Sequence, residues 1–293
     1  MDLHLVDATY ELFRAHYSPR PGAFARDGRE VGAVVGLLYS LLALLRDEGA
    51  THVGCATDHV IRSFRNDLYA GYKTEAGVPP ELLAQFELAE RAMEAMGLIV
   101  WPMTDFEADD AMATAASRWA GAPGVDRVLI CTPDKDLAQC VRGSRVVTRD
   151  RRRDRTMDEA GVTARWGVGP ASIADYLALV GDAADGFPGL PGWGARSAAA
   201  VLGRFGHLEA IPTSVGDWGV DVRSPAARNA TLRDRWADAL LFRRLATLAT
   251  DVPLPQRDAE ELRWRGARRV EFAALCTELA QPRLAKRPHL WLD

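Results

Sequence analysis

Short apolar runs that stop on acidic residues, or lead straight into them, are the feature that most constrains this chain. Leu3-His4-Leu5-Val6 stops at Asp7, and the run from His52 to Thr57 stops at Asp58. Leu98-Ile99-Val100-Trp101 precedes Phe106-Glu107-Ala108-Asp109-Asp110-Ala111, and Arg127 to Thr132 precedes Pro133-Asp134-Lys135-Asp136. Arg145 to Thr148 reads as a fifth run. Each run has the length of a strand. Between them lie segments of helical length or spacing: 31–45, 82–96 (after Pro79-Pro80) and 108–120. Strands alternating with helices predict an α/β fold with a mostly parallel sheet covered on both faces. Ligands of such sheets bind beyond the carboxyl ends of the strands, where these acids fall.

The second half changes character. From about Met157 the sequence reads as helical, with Ala-rich segments at 170–180, 195–204 and 233–249 and a loop expected over 213–231. The domain boundary is placed near 156, giving 1–156 and 157–293. Within the second part, Gly189-Leu190-Pro191-Gly192-Trp193-Gly194-Ala195-Arg196-Ser197 is a glycine-rich turn feeding a helix. Such a turn lets a backbone come close to a phosphate while the helix N-terminus presents amides. This is a helix–hairpin–helix type signal; its ordinary reading is a tight turn with no ligand.

Composition excludes several classes. Of 293 residues, 48% are hydrophobic and 26% charged, which fits a globular chain rather than a disordered one. The four cysteines (55, 131, 140, 276) never form C-x-x-C, so neither a zinc site nor a disulfide framework is expected. The first residues carry no basic stretch, and the longest uncharged run, 31–45, has 15 residues, short of a membrane span. No membrane partner is expected, and the cytoplasm is the expected compartment. Seven arginines crowd positions 142–155, and only three of the 36 basic residues are lysine: Lys73, Lys135 and Lys286. An ammonium kept in so arginine-rich a chain singles out Lys73 and Lys135 for inspection.

Nine acids follow the predicted elements: Asp7, Asp58, Glu107, Asp109, Asp110, Asp134, Asp136, Asp182 and Asp185. Taken singly, each has an ordinary role as a turn, helix cap or solvated acid. Together they repel and raise one another's pKa, so a positive partner must offset them. All nine are carboxylates, and all-oxygen sites suit Mg²⁺ or Mn²⁺. The net charge is −4; with these nine set aside, 31 of the 40 acidic residues remain against 36 basic, a mildly cationic surface suited to a polyanion.

The segments L-V-D-A-T-Y-E-L-F-R-A, A-T-D-H-V-I-R-S-F-R, G-Y-K, M-G-L-I-V-W, F-E-A-D-D-A, T-P-D-K-D-L-A-Q and V-G-D-A-A-D-G-F-P-G-L-P-G-W-G occur in this order over roughly residues 1–210. They resemble the 5′-3′ exonuclease/flap endonuclease family, which includes the nuclease domain joined to bacterial DNA polymerase I. The tail T-D-V-P-L-P is similar to the family's last segment. The resemblance implies a PIN-like metal-dependent nuclease domain with a helical arch at about 73–96, then a helical DNA-binding domain with a helix–two-turn–helix at 189–199. It implies a stand-alone, monomeric bacterial enzyme that acts in replication and repair. The substrate would be DNA with 5′ flaps, nicks or 5′ ends, cut to 5′-phosphate and 3′-hydroxyl products with two or three divalent ions.

By the same resemblance, all nine acids are metal ligands. Glu107, Asp109, Asp110 and Asp134 would hold an inner ion, and Asp136, Asp182 and Asp185 an outer one. Asp7 and Asp58 would act directly or through water. Asp7, Arg14, Lys73 and Asp134 are the catalytic expectations. Arg14, Arg65, Tyr72, Lys73, Gly189, Gly192, Gly194, Arg196 and Ser197 are expected on DNA, with K⁺ at the turn. One departure is Ala76, where the family often has arginine; Arg62 or Arg91 are the substitutes in view. Three other readings stand beside this one. They are a PIN-type ribonuclease, a non-catalytic DNA-structure binder, and a phosphatase using D-x-D with Asp134 as nucleophile.

Overall fold

The computed structural model describes residues 1–19 and 21–292. In chain order the elements are β1 (Asp2–Asp7), α1 (Ala8–His16), α2 (Gly32–Arg46), β2 (His52–Asp58), α3 (Arg65–Leu68), α4 (Pro80–Leu83), α5 (Phe86–Ala95), β3 (Ile99–Met103), α6 (Ala108–Trp119) and β4 (Arg127–Cys131). There follow β5 (Val146–Asp150), β6 (Arg155–Met157), α7 (Glu159–Trp166), α8 (Ile173–Val180), α9 (Ala195–Phe205), α10 (Pro225–Asp234), α11 (Trp236–Ala246), β7 (Ala267–Arg268), α12 (Arg269–Glu278) and β8 (Trp291–Leu292). They form two compact units, both discontinuous in sequence. The first comprises Met1–Ile61, Glu75–Thr132 and Thr250–Asp293; the second comprises Arg62–Thr74 and Pro133–Ala249. This division does not follow the boundary expected near 156: residues 62–74 and 133–156 join the second unit, and the segment from 250 packs back on the first.

The first unit carries four parallel strands in the order β3-β2-β1-β4. β1 is buried throughout after Asp2, as a parallel strand covered on both faces requires. The register pairs Asp7 with Ala56 and Asp58 with Met103, so both acids sit at the carboxyl edge. Close packing under the sheet sets local sequence: a Cβ on Gly54 would lie 2.3 Å from the buried Trp101 ring. α2 is the buried helix expected from its apolar run, with Leu37, Leu38, Leu41 and Leu44 fully enclosed. The helix expected over 82–96 is instead two, α4 and α5, broken around Gln85. The buried Gln85 amide oxygen there accepts from Val34 N at 3.2 Å, capping α2, whose own N-cap Val31 has no capping side chain. The segment expected to form an arch thus contains a packed helix, with Leu88, Ala89, Ala92 and Met93 buried.

The segment from Thr250 is stitched to this unit by hydrogen bonds. The Arg118 guanidinium donates to the carbonyls of Val252, Leu254 and Gln256 at 3.3, 3.1 and 3.2 Å. Trp101 Nε1 donates to Gln256 Oε1 at 2.7 Å, and Trp264 Nε1 to Met96 O at 2.8 Å. Trp264 N donates to Thr51 O at 2.8 Å.

In the second unit, the arginine run folds as an antiparallel hairpin, β5 with β6, closed by Asp154 at φ 50°. Helices α7 to α11 enclose a core that includes Tyr72, Leu177, Phe187, Trp193, Trp218 and Phe242. The long loop expected over 213–231 is corrected: α10 begins at Pro225. Proline's fixed φ suits the first turn of a helix, where its missing N–H has no intrahelical acceptor. Among the described residues, no helix is long and apolar enough to cross a membrane.

Candidate metal centre and nucleic-acid interface

The first unit fixes its acids with backbone and hydroxyl donors. Asp7 caps α1, accepting from Tyr10 N at 2.8 Å through Oδ1, and from Thr132 Oγ1 at 2.9 Å through Oδ2. Asp58 Oδ1 accepts from Ala108 N at 2.8 Å, while Asp58 N donates to Thr9 Oγ1 at 2.8 Å. Asp58 is thereby tied to the first turn of α6. Asp110 Oδ2 accepts from Glu107 N at 3.0 Å within the capping box that starts that helix. Glu107 and Asp110 are buried, and Asp109 is half-buried. The helix dipole favours negative charge at this terminus. Sequence reading assigned no role to Thr9, two residues past the strand end at Asp7, or to Thr132, the last residue of a predicted run.

The second unit brings together Asp136, Asp182 and Asp185, each offering a carboxylate oxygen, all within 4.8 Å of one another. Asp134 Oδ1 accepts from Asp136 N at 2.9 Å, turning the chain into a short 3₁₀ helix over Asp136–Cys140. Asp182 and Asp185 lie on a tight turn in which Asp182 and Phe187 exchange backbone hydrogen bonds of 2.8 and 3.1 Å. Gly186 adopts φ 87°, and a Cβ there would lie 2.2 Å from Gly71 O. That close approach sets the 71–73 segment against the turn: Lys73 N donates to Asp185 O at 2.9 Å.

Electrostatics single out Asp136. Burial pushes its carboxyl well above the usual range; Asp134, Asp185 and Asp182 push the same way, and Lys135 opposes them. Among the described residues, none donates a hydrogen bond to its Oδ1. Lys135 Nζ is 3.9 Å from that oxygen and contacts Asp182 directly. Lys73 Nζ is 3.1 Å from Asp185 Oδ1. A buried, unsatisfied carboxylate oxygen beside two further carboxylates fits a hard divalent cation, and the donor set is all oxygen.

At the glycine turn, Gly189 has φ 69° and its Cβ would meet Gly181 N at 2.4 Å. The Gly192 and Gly194 positions face open space. Beside them is a cavity of about 620 Å³ lined in part by Gly192, Gly194, Arg196, Arg223 and Arg228. Arg223 and Arg228 escaped sequence reading because they come from a different segment. Trp193 anchors the turn from below, donating through Nε1 to Arg228 O at 3.2 Å.

Three expectations for DNA contact are corrected. Arg65 is 1% exposed; its Nε donates to Leu245 O at 2.8 Å and an Nη to Thr247 O at 3.1 Å. It closes the C-terminus of α11, where carbonyls lack helical partners. Tyr72 is 3% exposed and packed in the core. Ser197 is buried, and its hydroxyl is used within the turn, accepting from Gly194 N at 3.1 Å and donating to Gly194 O at 3.0 Å. Arg14 is paired with buried Glu11 and donates to Ser40 Oγ at 3.1 Å.

An α/β unit with carboxylates at its strand ends, and a helical unit with an acidic trio and a glycine turn, define a nuclease of the 5′-3′ exonuclease type. Residues 2–167 match the 5′-3′ exonuclease N-terminal resolvase-like domain, and residues 168–269 match the C-terminal SAM fold of 5′-3′ exonucleases. A 5′-3′ exonuclease of Streptomyces coelicolor is 33% identical over 274 residues, covering 86% of this chain and 87% of that protein. DNA polymerase I of Rhizobium leguminosarum is 37% identical over 260 residues, 86% of this chain. The match covers 25% of that polymerase, so the chain spans about a quarter of its length. A flap endonuclease of bacteriophage T5, solved with DNA and metal ions, superposes with TM-score 0.64 at 17% identity, covering 96% of this chain and 100% of that one. The chain belongs to the 5′-3′ exonuclease family.

Proposed function

We propose that this chain is a structure-specific 5′ nuclease that hydrolyses DNA near 5′ ends, nicks and 5′ flaps with the help of Mg²⁺ or Mn²⁺. The observation that carries the reading is the buried trio Asp136, Asp182 and Asp185 with an unsatisfied Asp136 oxygen, in a chain of this family. The acids of both units are its metal-holding carboxylates: Asp7, Asp58, Glu107, Asp109 and Asp110 in the first, Asp134, Asp136, Asp182 and Asp185 in the second. When bound, the ions supply an acidified water and positive charge for the leaving oxygen.

The chain's own residues supply position and charge. A water attacks phosphorus, the bond to the 3′ oxygen breaks, and 5′-phosphate and 3′-hydroxyl ends result. Lys73 stabilises the charge that builds on the phosphate oxygens. Asn66 Nδ2 donates to Lys73 O at 3.0 Å and holds the lysine's backbone in place. The open Gly192–Gly194 edge and Arg196 accept a DNA backbone phosphate, with K⁺ at the turn in the same reading. The enzyme acts as a monomer in the cytoplasm.

A 5′-labelled double-flap DNA tests this. Cleavage with Mn²⁺, abolished by EDTA and by Asp134→Ala, is expected, with little cleavage of the matching RNA. Cleavage of the RNA alone, or undiminished cleavage by Asp134→Ala, overturns it.

A further inference from the structure

Only three lysines occur among the 36 basic residues, and two of them end on the acidic trio of the second unit. Lys135 contacts Asp182 and stands 3.9 Å from Asp136 Oδ1, so its ammonium spans two of the three ligands. Lys73 holds the third, Asp185, at 3.1 Å. The trio's oxygens already lie within 4.8 Å of one another. An octahedral ion with bonds of about 2.0–2.1 Å keeps its ligand oxygens within about 4.2 Å, so only a small contraction is needed. A divalent ion brings twice the charge of an ammonium to a shorter distance, and the ammoniums already hold one carboxylate oxygen each of Asp182 and Asp185.

We propose that Lys73 and Lys135 are resident counter-ions of the Asp136–Asp182–Asp185 trio, and that a divalent ion entering the trio displaces both ammonium groups. The inference rests on the metal-dependent reading given above. Its consequence is an order of events. Lys73 is released from Asp185 to face an anionic phosphate once the ion has arrived, so the charge that greets substrate is set by metal occupancy. Lys135 is a positioning residue: it holds Asp182 in place beforehand and weakens the trio's grip on the ion by competing for it.

The scarcity of lysine makes the test clean. The whole protein, without DNA, is acetylated with an amine-selective reagent at rising Mn²⁺, and each lysine is followed by peptide mass spectrometry. Electron paramagnetic resonance counts the bound Mn²⁺. Lys73 and Lys135 have 27% and 34% of their side chains exposed, and exposed Lys286 is the internal control. Expected is a several-fold rise in acetylation of Lys73 and Lys135 with constant Lys286. Lys135→Met is expected to bind Mn²⁺ about fivefold tighter or more, since one competing charge near the site is gone. Unchanged Lys73 and Lys135 rates at full Mn²⁺ occupancy overturn the exchange, whatever the variant does. Flap cleavage with metal-blind lysines removes the exchange and keeps the nuclease reading; metal-dependent labelling without flap cleavage does the reverse.

Discussion

Backbone N–H groups and hydroxyls orient acids in both units: Asp7, Asp58 and Asp110 in the first, Asp134 and Asp182 in the second. In the second unit Asp182 and Asp185 are in addition paired with the ammoniums of Lys135 and Lys73. A neutral dipole orients a carboxylate and leaves its charge in place. An ammonium cancels that charge and must be displaced before a metal can use it. The first arrangement favours a tightly held ion, the second an exchangeable one.

The sharpest way to break this contrast is to remove one acid from each set. Asp110→Asn is expected to lower flap cleavage by about a hundred- to a thousandfold at every Mn²⁺ concentration. The amide oxygen can still accept from Glu107 N, so the capping box remains and the loss is one of charge. Asp182→Asn is expected to lose less and to recover part of its rate as Mn²⁺ rises. Equal, metal-insensitive losses would erase the distinction.

Next in size is metal-linked stability. An ion present at about 100 times its dissociation constant adds about 2.7 kcal/mol if it binds only the folded chain. Thermal melts with and without Mg²⁺ should show this gain retained in Asp182→Asn and lost in Asp110→Asn. The reverse pattern would assign the tighter site to the second unit.

Arg65 is the mirror image, a buried cation held by neutral carbonyls. Arg65→Met leaves Leu245 O and Thr247 O without this donor and is expected to destabilise by about 1–3 kcal/mol in urea. DNA affinity of the folded variant should not change. A fall in affinity with a shallower salt dependence, at unchanged stability, would return Arg65 to the DNA.

The smallest effect concerns an exposed acid as a control for the buried ones. Hydrogen bonds from Arg263, then His52, lower the Glu260 carboxyl from 4.5 to about 2. An acid lowered in the folded state adds stability above its ordinary pKa and loses it as pH falls through the folded value. The stability difference between the wild-type chain and Glu260→Gln should therefore be present near neutrality and fade from about pH 4.5 down to about pH 2. Because Glu260 is exposed, added salt should shrink it. A difference that grows on acidification would contradict the pairing.

The carboxyl-edge acids were readable because period and punctuation are local. An apolar run that stops at Asp7 or Asp58 places that acid at a strand end whatever packs around it. Burial of polar residues was not readable. Arg65 and Tyr72 carry the chemistry of a DNA contact, and only long-range packing turns one into a clamp on the end of α11 and the other into core. Gln85 likewise looks like part of a continuous helix until it caps α2 from 51 positions away. The 250–293 segment has no local mark of the unit it joins; Arg118, Trp101 and Met96 decide that through bonds made across more than 130 positions.

That stitching also sets a timetable for synthesis. Arg118 and Trp101 leave the ribosome well before the segment that will satisfy them, because 133–249 must be made in between. At elongation rates of about 5–20 residues per second this interval is about 6 to 23 s. Throughout it, the sheet-bearing unit lacks the residues that seal one side, so chaperone occupancy should concentrate on nascent chains stalled between 133 and 249.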